Sequence, residues 1–347
     1  MPASKPITIV GGGLAGLTLG IGLRQHGIPA TVWEAGRYPR HRVCGEFISG
    51  RGQASLARLG LREFLIQAGA IPARTAQFSS LTVAGRARVL PEPALCLPRS
   101  RMDPLLAGRF RELGGELHEG ERWHETAPLD GVVFASGRQL QPAVAGRRWF
   151  GLKAHALGVA TTADLEMHAS EDGYIGLCRQ PGGIVNVCGL FRYKPASGGA
   201  VGNWQEQLRG PSGSLLRKRM GGATFVTDSF CSVAGINLKP RFARHHIECR
   251  IGDALTMIPP VTGNGMSMAF ESAEIAIEPA AAYSRGEWTW TQARQTVARA
   301  CDASFARRLA WARFLQWLMF SPMLKSAVGS TLLRSDWLWG LIFSRTR

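Results

Sequence analysis

A glycine-rich turn and one acidic residue near the N-terminus have the spacing of a nucleotide-binding site. Gly11-Gly12-Gly13-Leu14-Ala15-Gly16 fits G-x-G-x-x-G and directly follows the apolar run at 7–10. In such a turn Gly11 permits the tight bend, Gly13 lets a pyrophosphate approach the backbone, and Gly16 lets the helix pack closely. Glu34 would accept hydrogen bonds from an adenosine ribose and repel a 2′-phosphate, which disfavours NADP at this site. The pattern predicts a dinucleotide site and does not separate FAD from NAD.

The elements around this turn are those that the motif requires. Residues 7–10 predict a buried strand, residues 14–26 a helix ending at Gly27, and residues 30–33 a second strand ending at Glu34. A strand–helix–strand unit of this length points the start of its helix at the ligand. The context therefore supports a real binding turn.

Three further segments carry a family resemblance. Residues 39–46 read Pro-Arg-His-Arg-Val-Cys-Gly-Glu, residues 97–106 read LPRSRMDPLL, and residues 247–272 read IECRIGDALTMIPPVTGNGMSMAFES. In this order, and together with the N-terminal turn, they resemble the FAD-dependent superfamily of aromatic hydroxylases (group A flavoprotein monooxygenases) and geranylgeranyl reductases. The resemblance extends over roughly residues 5–290 and is weak between 140 and 245.

The resemblance implies FAD as the bound cofactor and gives several residues a role. Asp253 would hydrogen-bond the ribityl chain, and a helix from about Met266 would point its N-terminus at the flavin and stabilise negative charge there. Arg99, with Arg101 as a competitor, would contact phosphate or ribityl oxygens, and Arg42 would lie near the adenine end. The expected cofactor-binding residues are Gly11, Gly13, Leu14, Ala15, Gly16, Glu34, Ala35, Arg42, Cys44, Gly45, Arg99, Ser136, Gly137, Gly252, Asp253, Pro260, Gly263, Asn264, Gly265 and Met266.

The catalytic residues are less well defined by the resemblance. In the reductase branch a Cys-Gly pair lies near the flavin and the substrate, so Cys44 and Glu46 are the candidates. Ser136 stands where the family's strand ends in an Asp. No His or carboxylate in 159–239 stands out as a substrate partner, and His155, His168 and Tyr174 are interpreted as structural or exposed. No metal site is expected.

The resemblance predicts an FAD-dependent monooxygenase that hydroxylates or epoxidises an apolar or aromatic small molecule of polyketide, phenolic-lipid or isoprenoid type. NADPH or NADH would be a transient electron donor, since no second G-x-G-x-x-G occurs. The alternative is a flavin-dependent reductase of prenyl or lipid double bonds, which Cys44-Gly45 favours and the missing Trp in 174–181 opposes. A halogenase is disfavoured because no W-x-W-x-I-P segment occurs. A flavin-binding protein without turnover remains a fourth alternative.

The predicted fold class is α/β, with a Rossmann-like FAD-binding domain, a mixed β-sheet substrate domain of α+β type and C-terminal helices. The FAD-binding domain is expected to be discontinuous, from residues 1–75, 95–158 and 240–290. Residues 76–94 and 159–239 would form the substrate domain, with strands at 77–84, 87–90, 184–193 and 224–235, and residues 291–347 a C-terminal helical region.

Composition limits the classes of protein and of partner. The 347 residues carry a net charge of +16, and only six of the 41 basic residues are Lys. No zinc-finger spacing or RNA-binding motif appears, so nucleic acid is not an expected partner. Seven cysteines without a C-x-x-C pair argue against a disulfide framework, and the expected location is cytoplasmic.

The C-terminal region could face a membrane or the protein core. Residues 285–347 hold ten basic and three acidic residues, and six of the ten Trp. Aromatic and basic residues together are typical of a helix that lies at a bilayer surface, so peripheral contact with the inner face of the membrane is predicted. A pair of helices packed on the FAD-binding domain is the alternative.

Overall fold

The computed structural model describes residues 4–124, 128–138, 148–170, 172–193, 203–321 and 335–346. These residues form two β-sheets and nine α-helices. The strands are β1 Ile7–Val10, β2 Ala30–Glu34, β3 Phe47–Ile48, β4 Ile71–Ser79, β5 Arg88–Cys96, β6 Glu116–Glu119, β7 Val132–Phe134, β8 Arg148–Leu157, β9 Leu165–Ala169, β10 Gly173–Arg179, β11 Val185–Tyr193, β12 Thr224–Ile236 and β13 Cys249–Arg250. The helices are α1 Leu14–Gln25, α2 Arg51–Arg58, α3 Leu61–Gln67, α4 Arg99–Glu112, α5 Trp204–Arg209, α6 Leu215–Arg219, α7 Gly265–Ser284, α8 Trp290–Phe320 and α9 Asp336–Thr346.

The first sheet is parallel and has the order β13-β7-β1-β2-β6. It confirms the predicted strand–helix–strand unit β1–α1–β2. Ile7 and Ile9 of β1 are fully buried in the largest core cluster, which also contains residues of α1, α4, α7 and α8. The strand that precedes Asp253 is β13, which is only two residues long. This arrangement is the predicted Rossmann-like sheet.

The second sheet is mixed and has the order β12-β8-β11-β10-β9-β4-β5-β3. Its neighbours are antiparallel except for β4 and β9. The strands expected at 184–193 and 224–235 are confirmed as β11 and β12.

The strands expected at 77–84 and 87–90 have the wrong bounds, because the chain turns after Ser79 and resumes at Arg88. Pro91 and Pro93 lack the amide hydrogen that a regular ladder requires. They lie in the register shift between the pairs Thr75–Val89 and Ala73–Ala94, where the ladder between β4 and β5 is interrupted.

The chain crosses between the two sheets several times. Residues 148–157, expected in the FAD-binding domain, form β8 within the mixed sheet, and residues 47–48 add β3 to its edge. The domain boundaries as such stay a prediction. The mixed sheet contains strands from segments expected in the FAD-binding domain as well as strands from segments expected in the substrate domain.

The C-terminal helices are integral to the fold. Phe305, Leu309 and Ala312 of α8 are buried in the core cluster that contains β1. Trp339 and Phe343 of α9 pack against the cluster formed by β4, β5 and their neighbours. Of the helical pair expected on the FAD-binding domain, α8 packs on the core that contains β1, whereas α9 packs on the mixed sheet. In the described part of the chain, no helix has the length and apolarity needed to cross a bilayer.

Candidate functional site

A cavity of about 1210 Å³ lies where the parallel strands end. Its walls include Val10 after β1, Glu34 at the end of β2, Ala135 after β7 and Asp253 after β13. The carboxyl ends of parallel strands are the usual ligand side of an open α/β sheet. The cavity continues from there to one face of the mixed sheet.

Glycine is suited to each of the three motif positions for a different physical reason. Gly11 has φ +113, and a Cβ there would lie 2.4 Å from the carbonyl oxygen of Ala135. A Cβ on Gly16 would lie 1.9 Å from the carbonyl oxygen of Gly11. A Cβ on Gly13 would meet nothing within 4 Å, and Gly13 borders the cavity. Internal packing thus explains Gly11 and Gly16, whereas Gly13 leaves room for a ligand to approach the backbone.

Two helices begin at this cavity. Helix α1 starts at Leu14 and α7 at Gly265; neither has a side-chain cap or an acidic residue in its first turn. Uncapped amides and the positive end of the helix dipole favour negative charge. Two such ends in one cavity fit a pyrophosphate at α1 and the electron-rich edge of a reduced flavin at α7.

Glu34 is buried and already holds several partners. Its two oxygens accept hydrogen bonds from the backbone amides of Gly12 and Gly36, at 2.9 and 2.8 Å. Arg40 lies 2.7 Å and Arg42 3.7 Å from the same carboxylate. A ribose would therefore compete with Arg40. NADP was disfavoured because an isolated Glu34 carboxylate would repel a 2′-phosphate. Two guanidinium groups flank this carboxylate, so its charge is not isolated.

Arg99 is fixed beside the cavity by a buried ion pair. Its Nε and Nη2 donate to the Asp103 carboxylate at 2.7 and 2.9 Å, and the side chain borders the cavity. Arg42 also approaches Asp103, at 3.5 Å. Arg101, the competing candidate, instead donates to the carbonyl of Ala68 on the surface. The geometry places Arg99, and not Arg101, where a phosphate or ribityl oxygen could bind.

Asp253 also borders the cavity, in a short 3-10 turn that follows β13. Burial raises the pKa of Asp253 above its ordinary value, although Arg138 and Arg99 oppose this shift. A hydrogen bond from the backbone amide of Gly252 to Ser272 Oγ, at 2.9 Å, fixes the turn against α7. An acidic side chain held here can accept hydrogen bonds from ligand hydroxyls.

Cys44 and Glu46 differ in their position relative to the cavity. Cys44 and Gly45 border the cavity, and burial raises the pKa of the Cys44 thiol, which therefore stays neutral near pH 7. Glu46 is fully buried behind them and does not border the cavity. It adopts φ 59, so the chain bends sharply there.

The Glu46 carboxylate belongs to a buried polar cluster. It accepts hydrogen bonds from His155 Nε2 at 2.7 Å and the Arg99 amide at 3.0 Å, with Lys153 Nζ at 3.2 Å. Burial alone would raise the pKa of Glu46, but the His155 hydrogen bond and the Lys153 charge outweigh it and hold the pKa below its ordinary value. The cluster joins the β2–β3 connection to β8.

This cluster also has the donor set of a metal site. Ligand atoms of His41, Glu46 and His155 lie within 4.8 Å of one another. However, Lys153 Nζ lies 3.0 Å from His41 Nδ1 and 3.2 Å from Glu46 Oε1. A fully buried amine thus occupies the position of a cation, and we interpret the cluster as one that holds the loop in place.

The far part of the cavity is a mostly apolar chamber, although Glu166, Asp172 and Arg192 also border the cavity on the side of the mixed sheet. The mixed sheet forms one wall, with Phe78, Met167, Tyr174 and Leu190. Gly176 leaves space in this wall, since a Cβ there would be 3.7 Å from its nearest neighbour, an ordinary contact. The side chains suit an apolar or aromatic ligand.

The C-terminal helices close this chamber. Leu315, Leu318, Met319 and Phe320 of α8 border it, and so do residues of α9. Helix α9 is held on the mixed sheet, where Trp339 packs edge-on against Phe78 with ring centroids 5.0 Å apart. The same helices that complete the core therefore also shape the ligand space.

Most of the predicted cofactor residues meet at the cavity. Those that border it are Gly11, Gly13, Leu14, Ala15, Glu34, Ala35, Arg42, Cys44, Gly45, Arg99, Ser136, Gly137, Gly252, Asp253, Pro260, Gly263, Gly265 and Met266. Gly16 and Asn264 do not border it; they pack behind the turn and before α7. The sequence analysis did not identify Arg40 and Arg138 as cavity residues. The only feature that could have indicated them is that each is close in sequence to a residue of a recognised motif. The sequence analysis also missed the chamber role of Tyr174, which was named but interpreted as structural or exposed.

Comparisons with known proteins agree with this geometry. Residues 4–133 match the family model described as "FAD binding domain". No curated protein matched the chain. Among solved structures, the flavin-dependent brominase Bmp2 superposes with a TM-score of 0.75 at 17% identity, over 97% of this chain and 92% of that chain.

Two other solved structures extend the range of similar proteins. A flavoprotein/dehydrogenase from Cytophaga hutchinsonii gives a TM-score of 0.73 at 14% identity, over 92% of this chain and 87% of that chain. The probable FAD-dependent monooxygenase pqsL from Pseudomonas aeruginosa gives 0.68 at 15% identity, over 94% and 100%. At these identities the similarity shows the fold. The family match over residues 4–133 and the shared fold agree with the resemblance to the FAD-dependent aromatic hydroxylase type of superfamily.

Proposed function

We propose that this protein is an FAD-dependent monooxygenase that uses NADH or NADPH and hydroxylates or epoxidises an apolar or aromatic small molecule. The observation that carries the proposal is the shape of the cavity described above. Its polar end has the Gly13 cradle, two helix N-termini and Arg99, whereas its other end is apolar. A cofactor and an apolar substrate would thus lie end to end in one space.

Bound FAD would supply the redox chemistry and the activation of O₂. The protein's own residues would bind, orient and exclude water. Gly13 and the start of α1 would hold the pyrophosphate, Asp253 the ribityl chain, and the start of α7 the negative edge of the reduced ring. The chamber side chains would keep water from the reacting atoms.

The electron donor is proposed to bind transiently. The sequence has one G-x-G-x-x-G turn, which the FAD would occupy, and no second one for a nicotinamide cofactor. Arg40 and Arg138 border the polar end of the cavity, where a negatively charged donor could approach. Which of the two donors is used follows from the experiment below.

One observation favours a second candidate, the reductase of prenyl or lipid double bonds. Cys44 borders the cavity as a neutral thiol, which can donate a proton to a reduced substrate carbon. Monooxygenation requires no such donor. A halogenase reaction is the third outcome to test, because the similar folds include a brominase.

The deciding experiment is anaerobic reduction of the FAD-loaded protein with NADH and with NADPH. Labelled O₂ and bromide are then admitted with a library of phenols, polyketides and polyprenyl lipids. A product that gains one labelled oxygen supports the proposal. Gain of two hydrogens without O₂ would establish the reductase, and gain of bromine the halogenase. A flavin that NAD(P)H never reduces with any substrate would indicate binding without turnover.

The cofactor assignment can be tested separately. Asp253→Ala would remove an acceptor of a ribityl hydrogen bond, which is worth about 1.5–3 kcal/mol when one partner is charged. We expect FAD affinity to fall roughly 10- to 150-fold, measured by flavin fluorescence titration. If the wild type itself shows no flavin absorbance after reconstitution, the proposed function is wrong.

A further inference from the structure

An exposed aromatic surface lies beside the chamber. Phe314 and Trp317 of α8 are 49% and 58% exposed, and Trp337 of α9 is 75% exposed. The ring centroids of Phe314 and Trp317 are 6.1 Å apart. We call Phe314, Trp317 and Trp337 the aromatic surface. Large rings grouped outside the core usually mark a binding face.

The charges around the aromatic surface are mostly positive, and the carboxylate of Asp336, beside Trp337, is paired with Arg86 and Arg88. Helix α8 has five Arg and one acidic residue. Arg307 and Arg313 are exposed and, by helical spacing, lie on the same outer side as the aromatic residues. The one acidic residue, Asp302, faces inward and accepts a hydrogen bond from the Ala243 amide at 2.6 Å. The occupant of this face should therefore be negatively charged as well as apolar.

The two helices that carry the aromatic surface also border the chamber. Leu318 and Met319 border the chamber, are partly exposed, and lie one and two residues beyond Trp317. On α9, Trp339 borders the chamber two residues beyond Trp337. Each helix thus carries exposed rings on one side and chamber side chains on another.

The observations distinguish between two occupants. In a two-fold dimer through this face, Arg307 and Arg313 of one copy would lie near those of the other, and like charges oppose such contact. An anionic bilayer satisfies both features, since its headgroups pair with Arg and aromatic rings settle at its boundary. Charge complementarity therefore selects the lipid surface.

We propose that the aromatic surface, flanked by Arg307 and Arg313, docks on an anionic lipid bilayer. This docking does not depend on the proposed function. Docking is peripheral, because α8 is anchored in the protein core along its other side.

The test is co-sedimentation of the full FAD-loaded chain with vesicles, without turnover. Wild type should sediment with phosphatidylcholine vesicles that contain about one third phosphatidylglycerol at about 50 mM salt, and not with phosphatidylcholine alone. The triple variant Phe314→Ser, Trp317→Ser, Trp337→Ser should lose at least tenfold in vesicle affinity, an order-of-magnitude expectation for three removed rings. Arg307→Gln with Arg313→Gln should lose roughly thirtyfold.

Control variants remove an exposed apolar side chain, or two arginines, outside the aromatic surface. Ile247→Ser, at a position 83% exposed, controls for loss of an apolar side chain, and Arg62→Gln with Arg109→Gln controls for charge. Both should bind vesicles as wild type does. Flavin absorbance and circular dichroism verify that each variant is folded.

Three results would overturn docking: wild type that stays in solution with the anionic vesicles, a triple variant that binds unchanged, or controls that lose as much. A wild-type dimer that the triple variant makes monomeric, without vesicle binding, would show a second copy as the occupant. Because none of these measurements involves product formation, their failure is distinguishable from failure of the proposed reaction.

Discussion

Glu271 of α7 and Arg308 of α8 form a bidentate ion pair inside the protein, with Nη1 and Nη2 of the arginine 2.7 and 2.6 Å from the two carboxylate oxygens. Both side chains are buried. The pair joins the helix whose first turn faces the cavity to the helix whose last turns border the chamber.

Removing one partner of this pair should be costly. Arg308→Met leaves the Glu271 charge buried and uncompensated, and we expect a loss of about 3–5 kcal/mol in the free energy of unfolding, measured with urea. The double variant Glu271→Leu, Arg308→Met should recover much of that loss, because no buried charge remains. A single variant that costs below about 1 kcal/mol would contradict the importance of the pair.

Substitutions of two motif glycines should have different effects, one on cofactor binding and the other on folding. Gly13→Ala adds a Cβ into open cavity space, so the apoprotein should keep its thermal stability while FAD affinity falls at least about tenfold. Gly16→Ala puts a Cβ against the Gly11 carbonyl and should destabilise the apoprotein itself. Melting curves without FAD and flavin titrations measure the two effects. Equal melting temperatures for the two variants would refute this division of roles.

Chamber size should be adjustable at Gly176. Because a Cβ there makes only ordinary contacts, Gly176→Ala and Gly176→Val should fold and bind FAD as wild type does. They should exclude the largest ligands first, and Val more than Ala. The measurement is perturbation of the bound flavin spectrum by alkylphenols of increasing size. An unchanged size limit would mean that the ligand does not use this wall.

His41 should make stability depend on pH. Burial, together with the charges of Lys153 and His155, lowers the pKa of His41 from 6.5 to about 4, although Glu46 opposes the shift. The unfolded chain therefore binds a proton that the folded chain rejects, and stability falls as pH drops from 6.5 towards 4. Because the ring is half-buried, we expect a loss of roughly 1 kcal/mol between about pH 7 and pH 5.

The control for this pH effect is substitution of the ring. Urea midpoints of His41→Gln should fall less between the two pH values than those of wild type, whereas His124→Gln, at an exposed position, should behave like wild type. If His41→Gln and wild type lose equal stability on acidification, another group is responsible.

The nucleotide-binding end of the cavity could be predicted because most of its residues are close together in the sequence. Gly11, Gly13, Gly16 and Glu34 lie within one strand–helix–strand unit, so spacing along the chain translates directly into geometry. The turn and the two strands occur where they were expected. Asp253 is distant in sequence, but it follows its own parallel strand, and parallel strands end at one edge.

The rest depends on contacts that spacing does not encode. Glu46 meets Lys153 and His155 across more than a hundred residues, and nothing in their alternating strand pattern shows that they face a carboxylate. Similarly, Tyr174 lies on the chamber wall because β10 is central in the mixed sheet, an order that follows from strand pairing. The outward aromatic residues and the inward core residues of α8 were visible in the sequence but could not be assigned to faces without a partner surface.

Helix α8 takes part in three surfaces at once: the core ion pair at Arg308, the chamber wall at Leu318, and the exposed ring of Trp317. Coupling between two binding events is reciprocal. If a bilayer raises the affinity for a chamber ligand by some factor, that ligand must raise the affinity for the bilayer by the same factor. Under that condition a filled chamber would lengthen the time that the protein stays on its surface, without any change in its charge.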